Sequence, residues 1–112
     1  MAKSKRSLFS DKDSETAEIA KSLGHPARVQ ILKLLLMKSP QNCSEIVEQI
    51  PLAQATVSQH LSELKHSGMI TDKREANMVL YSANKERVVN AFNLFNDLLL
   101  GHVKNVKQQK LF

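Results

Sequence analysis

The sequence predicts a mainly α-helical domain of about five helices with one small β-hairpin. Three observations predict it. Apolar residues recur at helical spacing in five segments, most of them bounded by a capping or breaking residue. Residues 69–82 instead read as two β-prone runs around a polar turn. The last helical segment carries an apolar stripe wide and long enough to face both its own domain and another chain.

Each element follows from its residues. Residues 1–13 are polar apart from Leu8 and Phe9 and read as a flexible basic tail, with that pair free to pack on a partner. Ser14 suits the N-cap of a first helix with Ala17, Ile19, Ala20 and Leu23 inward, and Gly24 suits its C-terminal stop. Pro26 fits the first turn of a second helix, because a missing N–H costs nothing there. From Val29 to Met37 apolar residues cover most of the circumference, which predicts a central, buried helix that Ser39-Pro40 ends.

Asn42 and Glu45 have the spacing of a capping box for a short helix over about 43–50, which Pro51 breaks. A fourth helix runs from about Gln54 to Ser67 and stops at Gly68. Val57, Leu61 and Leu64 share one face of it, and Gln54, Thr56, Ser58, Gln59, Ser62 and Lys65 the other. The hairpin turns at Glu75-Ala76-Asn77, where Asn tolerates a left-handed backbone. Two strands alone are marginal in water, so the hairpin must pack on the helices. The last helix spans about Lys85 to Lys107, with Val88, Phe92, Phe95, Leu99 and Val106 on a seam that Ala91, Leu94 and Leu98 broaden. The folded domain is thus 14–107, with 108–112 a C-terminal tail.

The 112 residues fit one such domain, and 42% apolar with 24% charged residues is a globular composition. The net charge of +5 lies at the ends. Lys3, Lys5, Arg6 and Lys12 outnumber Asp11 and Asp13, and Lys104, Lys107 and Lys110 face no acid, whereas nine cations balance nine anions over 14–103. A single Cys43, no long apolar run and no apolar leader point to a soluble cytoplasmic protein without a membrane partner. The absence of a glycine-rich phosphate loop, and of any cluster of nucleophile, base and orienting acid, argues against an enzyme.

Two helices joined by a turn over 50–53, the second with a polar outer face, have the form of a helix-turn-helix, although a plain helical bundle shares that pattern. Uncharged Gln, Thr and Ser side chains can read base edges in a DNA major groove, whose width of about 12 Å admits a helix. The hairpin beside them becomes a wing that carries Lys73 and Arg74 toward phosphates or the minor groove.

The wording of the chain adds a family. Residues 23–35, Leu-Gly-His-Pro-Ala-Arg-Val-Gln-Ile-Leu-Lys-Leu-Leu, resemble the opening helix of the ArsR family of bacterial winged-helix repressors. Residues 52–70, with Thr-Val-Ser-Gln-His-Leu at their centre, resemble its recognition helix, and Arg74 to Tyr81 are similar to its wing. The resemblance covers about residues 14–100. It implies a homodimer joined through the first and last helices, with Leu8, Phe9, Ile19, Phe92, Phe95, Leu99 and Val106 as contacts. It also implies a palindromic double-stranded operator read by Gln54, Thr56, Ser58, Gln59 and His60, with Lys65, Lys73 and Arg74 beside them. For His60 a structural hydrogen-bonding role stays open, since it sits between the inward Val57 and Leu61. Ala53 departs from the family's usual Ser, which should cost about 1 kcal/mol of helix capping.

Many members of that family release DNA on binding a metal. The positions of one familiar ligand pair fall here on Asn42 and Ser44, and those of the second set on Lys85, Arg87, Leu98 and Gly101. Neither set can hold a divalent or soft ion, so no metal or other cofactor is expected. An unfamiliar site drawn from His25, Cys43, His66 or His102 is the alternative. Cys43, at a helix start, is either a redox-reactive thiol or a small buried hydrophobe. No particular small-molecule or redox inducer is indicated. A winged-helix module for protein contacts, without DNA binding, is the competing function, favoured by the balanced charge of 14–103.

Overall fold

The computed structural model describes residues 8–101 and 103. The chain runs α1 (Asp11–Ser22), α2 (Pro26–Met37), β1 (Gln41–Asn42), α3 (Cys43–Val47), α4 (Gln54–His66), β2 (Ile70–Glu75), β3 (Met78–Ala83) and α5 (Lys85–Leu99). The strands form an antiparallel sheet in the order β1-β3-β2. Its core joins Ile19 of α1, Ile31 and Leu35 of α2, Ile46 of α3, Val57, Leu61 and Leu64 of α4, and Met69 and Ile70 at the start of the hairpin.

Helix starts follow local chemistry. Pro26 occupies the first turn of α2, and His25 caps it by accepting from the Ala27 amide at 3.0 Å. The capping box of α3 is formed: Asn42 Oδ1 accepts from the Glu45 amide and Glu45 Oε1 from the Asn42 amide, both at 2.9 Å. Asn84 caps α5 through the Arg87 amide. Gly68 ends α4 with φ +82°, a backbone conformation that glycine adopts without strain.

Several expectations need correction. α1 starts at Asp11, because Ser10 and not Ser14 is its cap, so residues 11–13 are helical and not tail. Gly24 follows the C-cap Leu23 and so marks the end of α1 as expected, but without a left-handed backbone. Ala17 and Ala20 are exposed, and α1 buries Ile19 and Ser22. α2 is not buried all round: Val29, Leu36 and Met37 face outward, Met37 at 81% exposure. α3 is shorter than expected and ends at Val47. α5 ends at Leu99, and positions 104–107 of the expected longer helix lie outside the described residues.

The strand β1 adds a third member to the expected two-stranded hairpin. It pairs Gln41 with Tyr81 and Asn42 with Leu80. Gln41 is buried there and closes α2, its Nε2 donating to the Lys38 and Leu34 carbonyls at 2.8 and 3.2 Å. In the hairpin, Glu75 faces Met78 across the two-residue turn Ala76-Asn77. Ala76, and not Asn77, takes the positive φ, at 53°.

Candidate nucleic-acid interface

α4 sits on the domain through one face. Val57, His60, Leu61 and Leu64 are buried, while Gln54, Ala55, Thr56, Ser58, Gln59 and Ser62 are exposed. The i, i+3 and i, i+4 spacing of Gln54, Ser58, Ser62 and of Thr56, Gln59 gathers these polar side chains on the outer surface. Of the expected reading residues, Gln54, Thr56, Ser58 and Gln59 lie together there.

His60 does not join them, which corrects its expected place among the reading residues. Its ring is only 9% exposed, and its Nδ1 accepts from Arg28 Nε at 3.2 Å. The His25 ring lies 4.5 Å away, centre to centre. Burial, then the neighbouring His25 ring and the Arg28 guanidinium, hold the His60 pKa below its ordinary value, and Glu63 opposes them. Position 60 falls one turn from Val57 and Leu64, so helical geometry turns it inward.

The basic residues divide. Lys65 Nζ bonds Asp72 Oδ2 at 2.8 Å, which raises the lysine pKa. That pair joins the last turn of α4 to β2. Strand alternation then puts Arg74 on the same face of the hairpin as Asp72, toward α4, and Lys73 on the other. Lys73 lies 3.8 Å from Glu75 on that opposite face, whereas Arg74 forms no ion pair among the described residues. The two wing cations therefore stand on opposite faces of the hairpin, both exposed.

Cys43 stands at the start of α3, half-buried, with its Sγ 3.6 Å from Ser58 Oγ. It touches the outer helix without lying on its surface. Among the described residues no group of three or more His, Cys, Asp or Glu side chains could hold a metal ion. His102 lies outside the described residues.

The second surface is apolar. α5 packs on its own domain through Ala91 and Leu94, with Val88 and Phe95 at the margin. Val89, Phe92 and Leu99 remain exposed on the neighbouring arc, Phe92 at 67%. Leu8 and Phe9 are also exposed. α1 and α5 are joined by Lys12 Nζ to Asp97 Oδ2 at 2.9 Å and by the Arg87–Glu15 pair. Ala17, Ala20, Phe95 and Leu98 line a groove between these helices. Ile19 is the correction here: at 0% exposure it lies wholly in its own core and has no surface to offer a second chain. Val106, Lys3, Lys5 and Arg6 lie outside the described residues.

Sequence reasoning missed two supporting groups. Arg28 Nη1 reaches the Lys21 and Ser22 carbonyls at 3.1 and 3.3 Å while its Nε holds His60. Arg87 Nε donates to the Ser67 carbonyl at 3.1 Å, so one side chain joins α5 to the end of α4 and, through Glu15, to α1. Both residues are charged yet not exposed, a feature no spacing rule reveals.

A short helix, a turn, an outer helix with uncharged hydrogen-bonding groups and an adjoining hairpin define a winged helix-turn-helix DNA-binding transcriptional regulator. Residues 25–72 match the family model described as bacterial regulatory protein, arsR family. A HTH-type transcriptional regulator of Methanocaldococcus jannaschii is 32% identical over 88 residues, spanning 79% of this chain and 99% of its own. The transcriptional repressor PagR of Bacillus anthracis is 30% identical over 84 residues, covering 75% of this chain and 84% of PagR. Among solved structures, an ArsR-like transcriptional regulator from Rhodococcus superposes with a TM-score of 0.71 at 18% identity, over 80% of this chain and 83% of that one. HlyU from Vibrio cholerae does so with a TM-score of 0.66 at 25% identity, over 82% and 99%. The chain belongs to the ArsR family, and its relatives are transcriptional regulators and not enzymes. Among the described residues no helix is long and apolar enough to cross a membrane.

Proposed function

We propose that the protein is a homodimeric repressor that binds a palindromic operator without a metal cofactor. The observation that carries this reading is the pairing of two exposed surfaces on one small domain. One is the uncharged face Gln54/Thr56/Ser58/Gln59; the other is the apolar arc Val89/Phe92/Leu99 of α5, with Leu8 and Phe9 also exposed. Exposed apolar side chains grouped along one helix suit a protein contact. A second copy contributes the same surface, and a two-fold axis then sets two α4 helices against successive major grooves, about 34–36 Å apart. PagR, a repressor by name, supports the direction of regulation.

Gln54, Thr56, Ser58 and Gln59 read base edges, and Arg74 follows the backbone or enters the minor groove from the side of α4. The charges of residues 54–81 cancel, three against three. Non-specific phosphate attraction therefore falls to the terminal residues, Lys3, Lys5 and Arg6 above all. A deletion that tests them must stop at residue 7, because Ser10 caps α1 and Lys12 pairs with Asp97. Such a deletion weakens binding evenly across sequences and flattens its salt dependence.

Selection of bound duplexes from a random pool, with sedimentation of the free protein, tests the proposal. It predicts a palindrome with half-sites one helical turn apart and two chains per duplex. A monomer in solution, or no salt-dependent binding to any duplex, would refute it.

A further inference from the structure

Arg28 is placed as a junction between three helices. Its Nη1 lies against the last carbonyls of α1, from Lys21 and Ser22, where a cation also complements the helix dipole. Its Nε donates to His60 on the inner face of α4. Beside this bond the contact is apolar packing around Val57, Leu61 and Leu64. Gln59, on the outer face, is the next residue in the chain, so a shift at His60 moves the reading surface directly.

The bond has a chemical condition. A guanidinium can only donate, so His60 Nδ1 must present a lone pair, and the ring must be neutral with its proton on Nε2. Protonation puts an N–H at Nδ1, opposite Nε of Arg28. The acceptor becomes a second donor, and a second positive charge meets the first. The charged and titratable groups that act on the ring are His25 and Arg28 from the cap and first turns of α2, and Glu63 from α4 itself; the Lys21 and Ser22 carbonyls of α1 accept from Arg28.

We propose that Arg28, acting through neutral His60, is the positioning residue of the recognition helix, so that protonation of His60 releases the helix and weakens DNA binding under mild acid. Burial, the adjoining His25 ring and the Arg28 charge already disfavour the charged His60 ring, so a proton that enters must break the bond or move the helix. His25 lies on the same path: its Nδ1 caps α2 through the Ala27 amide, and its ring abuts His60. This inference rests on the DNA-binding reading but has a consequence that needs no DNA.

The test compares the full chain with His60→Gln, whose amide oxygen can still accept from Arg28 and does not titrate. Imidazole-labelled protein is titrated by NMR from pH 7.5 to 5.5, with the amide signals of 54–59 followed in parallel. Affinity for the duplex recovered by random-pool selection is measured over the same range. Any pH dependence that the two proteins share cancels in the ratio of their affinities, which leaves the part that depends on His60. The wild type is expected to lose about three- to tenfold more affinity than His60→Gln, since one linked proton changes affinity by at most tenfold per pH unit. The amides of 54–59 are expected to move with the His60 titration. Equal pH dependence of the two proteins overturns the proposal. If His60→Gln does not fold, or no duplex is recovered, the wild-type titration decides: amides of 54–59 that stay fixed while His60 takes its proton also overturn it.

Discussion

α4 starts without a side-chain cap, and that omission can be repaired. Ala53 holds the N-cap at φ −66°, ψ 150°, and supplies no hydrogen bond from its side chain. Ser10, which caps α1, sits at φ −63°, ψ 153°, and its Oγ accepts from the Asp13 amide at 3.0 Å. The two backbones are nearly superimposable, so a serine at 53 places its Oγ within reach of the Thr56 amide without rearrangement. Ala53 is exposed, which leaves the hydroxyl room to turn. Ala53→Ser should therefore stabilise the protein by about 1 kcal/mol. That corresponds to a rise in Tm of about 4–8 °C for a domain of this size, measured by circular dichroism at one fixed protomer concentration.

Ala53→Asp separates the stability effect from function. A carboxylate also caps the helix, and its charge suits the positive N-terminus, so the free protein gains at least as much stability. If α4 enters the major groove, however, the same carboxylate faces the phosphate backbone. Affinity should fall about tenfold while Tm rises. A serine variant with unchanged Tm would show that the free amides of α4 are already satisfied and refute the capping argument. An aspartate variant that binds DNA as well as the wild type would show that this end of α4 does not face the backbone.

Three further outcomes are expected. Phe92→Asp should leave the protomer's helical signal intact, since Phe92 is 67% exposed, but should dissociate the proposed dimer. With about 2 kcal/mol of apolar burial lost from each chain, dimer affinity should fall about a thousandfold by analytical ultracentrifugation, taking DNA binding with it. Ala76→Gly should stabilise the hairpin by about 0.5–1 kcal/mol in chemical unfolding, because Ala76 holds φ 53° and glycine does so without strain. The stability of the wild type should fall with acid: the folded state holds the His60 pKa below the 6.5 of the unfolded chain, so the unfolded state binds more protons there. The His60 contribution is complete above pH 6.5 and is lost as pH drops toward the folded pKa, which unfolding curves at pH 7.5 and 5.5 compare with those of His60→Gln.

Much of the fold was readable because its signals are local. Pro26, the Asn42/Glu45 capping box and Gly68 each act within a turn of their own position, and each marks the boundary it implied. The outer face of α4 follows from periodicity alone. Features that depend on distant partners were not readable. The two residues of β1 form a strand only because Leu80 and Tyr81 lie beside them. α5 has an apolar arc of the expected breadth, yet only the tertiary structure shows that Ala91 and Leu94 face inward and leave Phe92 and Leu99 outside. Ile19 went astray for the same reason, since an apolar residue on α1 serves the core or a partner equally well by spacing. His60 was the ambiguous case, and Arg28, 32 positions away, decides it.

In the proposed complex, uncharged side chains of α4 read DNA for a two-fold pair of chains. Hydroxyl-radical and methylation-interference mapping on the selected duplex, for the wild type and Gln59→Ala, tests it most directly. Two symmetric major-groove windows one helical turn apart are expected, with interference at specific bases in each that Gln59→Ala erases while backbone protection remains. A single window, or base contacts that survive Gln59→Ala, Gln54→Ala and Ser58→Ala alike, would contradict it.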